Sequence, residues 1–267
     1  MDHRKAVKEL VDPQMNPDVV SESFTSYAVS VGRCMSASGA SALLAGDRPV
    51  MLKPNLVNDS PHPVTTSPAF CEAVITFVRQ HTDAPVVIAE GCGDAGLETS
   101  EVFSRLGYHE MAQRHDVELL DLNTAPLILR RDQGCRLFPE MWLPEAVFDH
   151  LLISLPVLKA HSLCRFTGSM KNMMGLAPPR HYAGRFGNWK KAAFHHRLDQ
   201  AIVELNCYRR PDLTVLDATI GLADYHLGGA WCDPPVNRIL AGLDARAVDR
   251  EAASLLGMDW TTIGHLA

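Results

Sequence analysis

Short apolar runs of strand length alternate with segments of helical periodicity along this 267-residue chain. Buried strands are predicted at PVMLK (49–53), PVVIAE (85–90), VELLDL (117–122), LLISLP (151–156) and LTVLDA (213–218). Helices that lie between apolar strands act as crossover connections, and a crossover joins strands that run parallel. The pattern therefore predicts an α/β fold with three layers, in which a mostly parallel or mixed sheet carries helices on both faces.

Weaker signals predict the elements between these strands. YAVSV (27–31) predicts a strand before an alanine-rich helix at 35–45, and Ser67 followed by Pro68 predicts a helix start. LILRR (127–131) predicts a strand that pairs with CRLFP (135–139) in a hairpin. The remaining predicted elements are a helix over 197–208, the strand RILAG (238–242) and a helix over 247–257.

Composition and charge bound the domain organisation and the location. The length predicts one domain, or two intimately packed lobes. A net charge of −6 argues against a general nucleic-acid binder, because such proteins carry a basic surface. No apolar run approaches the roughly 18 residues of a membrane span, and MDHRKAVKEL is too charged for a secretion signal. We therefore expect a cytoplasmic protein with neither a nucleic-acid nor a membrane partner.

Polar side chains are unusually dense directly after the apolar run LLISLP. They include Lys159, His161, Thr167, Lys171 and Asn172. Ligands of open α/β sheets bind in the crevice at the carboxyl ends of the strands. We therefore predict a site here, with Lys159, His161 and Lys171 as catalytic residues and with Thr167 and Asn172 as ligand-binding residues. The alternative is a solvated loop with ordinary surface lysines.

Other predicted strands also end in polar residues. Lys53 and Asn55 follow PVML, Glu90 ends PVVIAE just before Asp94 in the loop GCGDAG, and Asp217 lies near the end of LTVLDA. We predict that these five residues bind the ligand. The loop GCGDAG is neither a P-loop nor a dinucleotide fingerprint, and its alternative is a tight turn. Asp217 could instead orient a lysine or histidine, bind a metal or cap the next turn.

Histidines and cysteines leave metal binding open. His161, His195 and His196 are candidate metal ligands, because imidazole binds transition metals as well as moving protons near neutral pH. However, the sequence contains no HExxH or other compact zinc motif. The seven cysteines are widely spaced and form no CxxC pair, so we expect reduced thiols. Three distant cysteines could still converge on an iron–sulfur cluster in the fold.

The segment 177–196 is rich in Pro, Gly, His, Lys and Arg, which predicts a mobile lid over the site. Its aromatic residues, Tyr182, Phe186, Trp189 and Phe194, support a different interpretation. Under that alternative, the segment is a rigid loop whose aromatic side chains belong to the core or to a subunit interface.

Six motifs together resemble the domain-of-unknown-function 362 family. They are KPNLV (53–57), IAEGCG (88–93), LISLPVLKAH (152–161), TGSMKNMMGL (167–176), TVLDA (214–218) and AGLDARAVDREAASLLG (241–257). Members of that family are often joined to a ferredoxin-like module with 4Fe-4S clusters. The resemblance therefore implies redox or metal-associated chemistry for some members, although this sequence has no ferredoxin motif.

A fainter similarity connects the chain to the nickel-pincer lactate racemase family. There, an apolar strand leads to a histidine and then to a lysine that carries the cofactor. The matching residues here are His161 and Lys171, followed by a later histidine, either His195 or His196. The glycines of that family's loop are largely replaced in this chain, so the similarity implies shared architecture rather than racemisation.

Two functional hypotheses follow. In the first, the protein is an enzyme that acts on a small anionic molecule, with Lys53, Lys159 and Lys171 binding its carboxylate or phosphate. His161 then serves as a proton carrier or metal ligand. In the second, the protein is a non-catalytic carrier of a metal, an iron–sulfur cluster or another cofactor, and it delivers this cargo to a redox partner protein. The cofactor stays open between a transition metal and an iron–sulfur cluster.

Overall fold

Strands and helices alternate along the chain, which a computed structural model describes at residues 18–184 and 189–267. Residues 185–188 of the predicted lid, including Phe186, lie outside the described residues. The strands are β1 (Val19–Ser23), β2 (Val50–Pro54), β3 (Val86–Glu90), β4 (Glu118–Asp121), β5 (Leu127–Arg131), β6 (Glu140–Pro144), β7 (Leu151–Leu155), β8 (Val157–His161), β9 (Arg165–Thr167), β10 (Leu213–Leu222) and β11 (Arg238–Gly242).

The helices connect these strands. They are α1 (Tyr27–Ala37), α2 (Ala40–Leu43), α3 (Pro68–Arg79), α4 (Thr99–Arg105), α5 (Tyr108–His115), α6 (Ala146–Asp149), α7 (Ser169–Asn172), α8 (Pro179–Tyr182), α9 (Leu198–Tyr208) and α10 (Ala245–Leu255). Short 3₁₀ helices span Met173–Leu176, Ala192–Arg197 and Trp260–Thr262. Within the described ranges, none of the helices is both long and apolar enough to cross a lipid bilayer.

The central sheet is mixed, as the sequence predicts. Its strands lie in the order β1, β11, β10, β7, β2, β3, β4. The pairs from β10 to β4 are parallel, whereas β11 pairs antiparallel with both β10 and β1. A separate antiparallel hairpin joins β5 to β6. The carboxyl ends of β2, β3 and β7 therefore meet at one edge of the sheet.

Helices cover both faces of the sheet, which confirms the predicted three-layer α/β fold. Successive strand residues point to opposite faces, and neighbours such as Met51 and Leu52 accordingly join different apolar cores. Met51 packs in a core with residues of α9 and α10, including Leu205 and Val248. Leu52 packs in the other core with residues of α1, α3 and α5. Whether the chain behaves as one domain or as two packed lobes stays a prediction.

The predicted strand LLISLP is followed by a second strand, β8, that the sequence does not suggest. Pro156 separates β7 from β8, because proline has no N–H to donate in the sheet. Whereas β7 pairs with β2 and β10, β8 pairs with β10 and β9. Lys159 and His161 consequently lie within β8, where they share one side of the strand. The chain returns antiparallel as β9 and enters α7, the short helix of Lys171 and Asn172.

Two predicted elements are wrong. YAVSV opens helix α1, because Ser26 caps it and its buried residues, Val31, Cys34 and Met35, recur at helical spacing. The hairpin partner of β5 is β6, one segment later than CRLFP. CRLFP instead forms a connection whose backbone amides, including those of Leu137 and Phe138, donate to the carboxylate of Glu204 on α9.

A buried carboxylate fixes the start of α7. Asp249 of α10 accepts hydrogen bonds from the backbone amides of Ser169 and Met170, at 2.6 and 2.8 Å. A side chain at Gly168 would collide with the same carboxylate, since an added Cβ would lie 2.2 Å from its Oδ1. The position of Lys171 therefore depends on a contact made from α10, 80 residues later in the sequence.

Replacing Asp249 by Asn should destabilise the protein by about 1–3 kcal/mol, because one of the two amides then faces an NH₂ group that cannot accept, whereas both oxygens of a carboxyl group keep acceptor lone pairs even when it carries one proton. Urea unfolding measures this change. The matched control is Asp244→Asn, at the exposed N-cap of α10, where Asp accepts from two amides and Asn caps nearly as well. Equal, small effects of both substitutions would show that Asp249 does not hold α7.

The cost of Asp249→Asn should also depend on pH. Burial raises the pKa of Asp249 to about 7 against the opposing effect of the two amides, whereas the unfolded value is about 3.9. The folded state therefore binds this proton more tightly, and the resulting stability is fully present below about pH 4 and lost as the pH rises through about 7. Unfolding curves from pH 5 to pH 8 should show the wild-type advantage shrinking. A constant difference would contradict this linkage.

Candidate active site

A pocket of about 230 Å³ opens at the carboxyl edge of the parallel strands. Seven of the sequence-predicted site residues line it: Asn55, Glu90, Asp94, His161, Lys171, Asn172 and His195. They come from the ends of β2 and β3, from β8, from α7 and from the 3₁₀ segment before α9. The structure thus brings residues from distant parts of the sequence to one place, while their functional roles stay predictions.

Other predicted site residues lie outside the described lining. Lys53 and Lys159 are fully buried in the wall behind it. Thr167 is buried opposite Lys159 in the β8–β9 pair, and its hydroxyl has no hydrogen-bond partner within residues 18–184 and 189–267. His196 is exposed. Asp217 belongs to a different polar group, described below.

A buried ion pair joins the ends of β2 and β3. The Lys53 amino group lies 2.9 and 2.8 Å from the two oxygens of Glu90. Burial lowers the pKa of Lys53, although the Glu90 carboxylate acts to raise it. Glu90 also accepts from the backbone amides of Leu56 and Gly91. This carboxylate is therefore fully engaged with the protein and contributes little free negative charge to the pocket.

Two asparagines extend this pair into a chain of hydrogen bonds. Asn172 Oδ1 accepts from Lys53 Nζ at 3.3 Å and from Asn55 Nδ2 at 3.2 Å. Asn55 Oδ1 in turn accepts from Lys159 Nζ at 2.7 Å. The asparagines thus hold the strand ends together, and their predicted ligand-binding role competes with this structural one.

Gly175 lets the chain pass directly over the ion pair. A Cβ at Gly175 would lie 1.9 Å from Glu90 Oε1 and 2.5 Å from Lys53 Nζ. Likewise, a Cβ at Gly91 would lie 2.4 Å from the Gly175 carbonyl oxygen. Both positions therefore require glycine because no space for a side chain exists.

Lys171 differs from the other buried lysines. Its amino group has no hydrogen bond or ion pair within the parts of the chain that the structure describes, yet the side chain is only partly exposed and lines the pocket. Burial lowers the pKa of Lys171. An unpartnered cation in such a place is costly, and an anionic ligand would remove that cost.

Lys159 and Lys191 add positive charge around the same pocket. Lys191, from the segment before α9, donates to Asn123 Oδ1 at 2.5 Å and to the Ala177 carbonyl. Burial lowers the pKa of each lysine to about 7, and the nearby Lys171 contributes for Lys159. Near neutral pH the two amino groups therefore sit close to their titration midpoints.

Backbone hydrogen bonds fix the tautomer of His161. Its Nδ1 accepts from the amides of Leu163 and Cys164, at 3.1 and 3.4 Å. An amide can only donate, so Nδ1 carries a lone pair and the ring proton resides on Nε2. Burial, with Lys171 as the next cause, holds the pKa of His161 far below its usual range. His161 is thus a neutral hydrogen-bond donor through Nε2, which does not suit a metal ligand at that atom.

His195 and His226 present different ring atoms. The Nδ1 of His195 lies 3.2 Å from the Lys191 carbonyl oxygen, which only a protonated Nδ1 can satisfy, so Nε2 is left as an acceptor. His226 stacks on His161 with ring centroids 3.8 Å apart. Burial, followed by Lys171, lowers the pKa of His226 to about 3. Its buried Nδ1 has no partner among the described residues.

The donor set does not fit the metal or cluster that the sequence resemblances imply. Within residues 18–184 and 189–267, no group of three or more His, Cys, Asp or Glu side chains could hold a metal ion. The tautomer of His161 removes Nε2 as a ligand, and His196 is exposed and is not one of the residues that line the pocket. Cys92 and Cys164 each donate to a backbone carbonyl.

Two predicted ligand-binding aspartates have structural partners. Asp94 Oδ1 accepts from the amides of Gly96 and Leu97, which makes GCGDAG a tight turn at the pocket rim. Asp217 lies within β10, where it accepts from the hydroxyl of Tyr27 at 2.7 Å and lies 3.2 Å from His62 Nε2. This second group is separate from the pocket lining.

Lys191 and His226 are pocket residues that sequence reasoning missed. Lys191 falls in the segment whose composition suggested a lid, but no local pattern distinguishes it from Lys190. Lys190 instead donates to the Leu97 carbonyl and to the carboxylate of Glu98. His226 follows β10, which runs to Leu222, four residues beyond LTVLDA. Extending that strand in the sequence would have placed the loop DYHLGG at the same edge and identified the histidine.

The family comparison agrees with the motifs found in the sequence. A family model described as "Domain of unknown function (DUF362)" matches residues 50–254. The chain is also similar to "Thylakoid-associated protein sll1697" from Synechocystis sp. (strain ATCC 27184 / PCC 6803 / Kazusa). The two are 27% identical over 227 residues, which cover 83% of this chain and 67% of that protein.

A solved structure shows a similar fold. It is the lactate racemase apoprotein from Thermoanaerobacterium thermosaccharolyticum, with a TM-score of 0.52 and 10% sequence identity. The likeness covers 88% of this chain but 56% of that chain, so this chain matches little more than half of the racemase. At this identity the likeness concerns the fold, and the predicted architectural similarity is confirmed at that level.

Two lysines of this region should respond oppositely to the same substitution. Lys53→Met should destabilise the protein by about 3–5 kcal/mol, because it leaves Glu90 buried without its cation. Lys171→Met should leave thermal stability unchanged or raise it, because it removes an unpartnered buried charge. Thermal unfolding of both variants measures the contrast. A large loss of stability in Lys171→Met would mean that Lys171 takes part in a structural ion pair.

Proposed function

This chain belongs to the DUF362 family, and from its pocket we propose that it is an enzyme that performs acid–base chemistry on a small carboxylate or phosphate. The observation that carries the proposal is the Lys171 amino group, which lies in the pocket without a partner among the described residues. Such a group suits an anion that enters from solvent. The family description gives no activity, and the support for this function comes from the residues of the pocket.

The charge balance of the pocket favours an anion. Lys171 and Lys191 line it, with Lys159 directly behind. On the acidic side, Glu90 is already paired with Lys53, and Asp94 is occupied by its turn. Buried cations without matching carboxylates attract an anionic ligand far more strongly than the same charges in water. The negative net charge of the whole protein does not oppose this local field.

The histidines supply complementary proton chemistry. His161 offers Nε2–H, so it can donate to an anionic oxygen of the substrate, and its neutral state makes this donor independent of pH near neutrality. His195 keeps an unprotonated Nε2, so it can accept a proton from the substrate. A donor and an acceptor along one pocket are the minimum that acid–base catalysis needs. This division of roles refines the expectation that His161 itself carries the proton.

The carrier hypothesis receives less support. It requires several metal-ligating side chains close together, and the described ranges of the chain contain no group of three or more His, Cys, Asp or Glu side chains that could hold a metal ion. Metal analysis and a visible spectrum of anaerobically purified protein test it, since stoichiometric metal would favour a carrier or metal enzyme over our proposal. A redox partner protein and a cytoplasmic location stay predictions. The lid formed by the segment 177–196 also stays a prediction, although Tyr182 and Phe194 of that segment are packed in the core.

Anion binding should weaken as the pH rises through about 7. The lowered pKa of Lys191 means that its charge is present below about pH 7 and lost above it, so affinity should fall up to about tenfold per pH unit for each proton required. Calorimetric titration with sulfate at constant ionic strength from pH 6 to pH 9 measures this, because sulfate itself does not titrate there. Lys171→Met should abolish binding. Pocket binding that is independent of both pH and Lys171 would contradict the proposed anion site.

His195→Gln should abolish turnover while anion binding persists, because glutamine cannot accept the proton. The assay incubates a panel of small carboxylates and phosphate esters with the protein in D₂O and follows deuterium incorporation and product formation by NMR. The control is His109→Gln, on the exposed surface of α5. If His195→Gln keeps full turnover of a substrate that wild type converts, the assigned base is wrong.

A further inference from the structure

Apolar side chains surround the mouth of the pocket. Leu163, Trp189 and Tyr225 all line it, yet their exposed fractions are 64%, 52% and 42%. Single exposed apolar residues are common on protein surfaces. Several that converge on one pocket instead mark a binding surface. A small inorganic anion held by the lysines would leave this surface unused.

The rim continues inward as a column of rings. Tyr225 packs edge-on against His226, with centroids 4.9 Å apart and an interplanar angle of 66°. His226 then stacks face to face on His161 at 3.8 Å and 19°. Planar rings therefore line one wall of the pocket from its mouth to the donor Nε2–H of His161. A wall of planar rings favours a flat aromatic ligand, because aromatic rings attract one another in stacked and edge-to-face arrangements.

The loop that carries Tyr225 and His226 has a fixed shape. Asp224 Oδ1 accepts from the amide of Ala230 at 2.7 Å, and the amide of Gly229 donates to the carbonyl of Tyr225 at 3.0 Å. A Cβ at Gly229 would lie 2.0 Å from Asp224 Oδ1. The loop is thus closed by its own hydrogen bonds, and its two rings are held in place before any ligand arrives.

We propose that the ligand of this pocket is an aromatic anion, in which a planar apolar ring carries a carboxylate or phosphate group. The anionic group contacts Lys171 and the Nε2–H of His161, while the ring lies against His226, Tyr225 and Trp189 near the mouth. The inference rests on the proposed anion site and adds the class of substrate. His226 also offers its Nδ1, which has no partner within residues 18–184 and 189–267, to a polar substituent on the ring.

The test compares matched pairs of probes that differ by one ring. Calorimetry at pH 6 measures the affinities of benzoate against acetate and of phenyl phosphate against inorganic phosphate. The ring-bearing probe of each pair should bind at least about tenfold more tightly, the ratio that one or two aromatic contacts supply. The better pair identifies whether the anionic group is a carboxylate or a phosphate.

Variants attribute the preference to the rim. Trp189→Ala and Tyr225→Ala should each lower the ring preference, about threefold for the loss of one aromatic contact. Trp231→Ala is the matched control, because Trp231 is 60% exposed and lies outside the described pocket lining. It should leave the ratio unchanged.

The outcomes separate this inference from the proposed function. If acetate or phosphate binds in a Lys171-dependent manner but the added ring gives no gain, the aromatic class is wrong and the anion site stands. A ring preference that survives both Trp189→Ala and Tyr225→Ala would also overturn the inference. If none of the probes depends on Lys171, the anion site itself is lost.

Discussion

The buried pair of Lys53 and Glu90 is the interaction on which the rest of the pocket depends. It joins two neighbouring parallel strands at their ends, and the same carboxylate holds the amides of Leu56 and Gly91. Gly175 passes directly over it, so α7 can approach the sheet closely enough to place Asn172 beside Lys53. These groups satisfy one another, whereas the Lys171 amino group lines the pocket with no partner in the described part of the chain.

The arrangement separates two kinds of buried lysine. Three of these lysines donate hydrogen bonds to carboxylate, amide or carbonyl oxygens of the protein, and they thereby hold the pocket walls in place. They are Lys53, Lys159 and Lys191. Lys171 has the same side chain and a similarly shielded setting, yet no such oxygen among the described residues. Burial of a lysine therefore does not by itself distinguish a structural role from a functional one. The distinguishing feature is whether oxygens of the protein accept the hydrogen bonds of its amino group.

Much of the fold was predictable from the sequence, because the spacing of apolar residues indicates which side of each strand or helix is buried. The three-layer architecture and the sheet edge with its lysines follow from apolar runs that end in polar residues. YAVSV opens a helix although a strand is predicted there, because five residues are too few to separate the helical period of 3.6 from the strand period of 2. Asp217 lies within β10 and not near its end, because β10 continues to Leu222. The partner of each buried lysine is set by crossovers and packing that join distant parts of the chain, 37 residues apart for Lys53 and Glu90 and 104 for Lys159 and Asn55. No local pattern encodes such a pairing.

The pairing of β8 with β10 has a consequence for the entropy of ligand binding. Lys159 and His161 belong to a strand that pairs with β10, and its predecessor is buried in the middle of the sheet. The hydrogen bonds of the sheet therefore fix the backbone from which both side chains project. Tyr225 and His226 lie on the loop after β10, which is closed by its own hydrogen bonds. Because both parts of the pocket are ordered before a ligand enters, binding avoids the conformational entropy cost of ordering a loop.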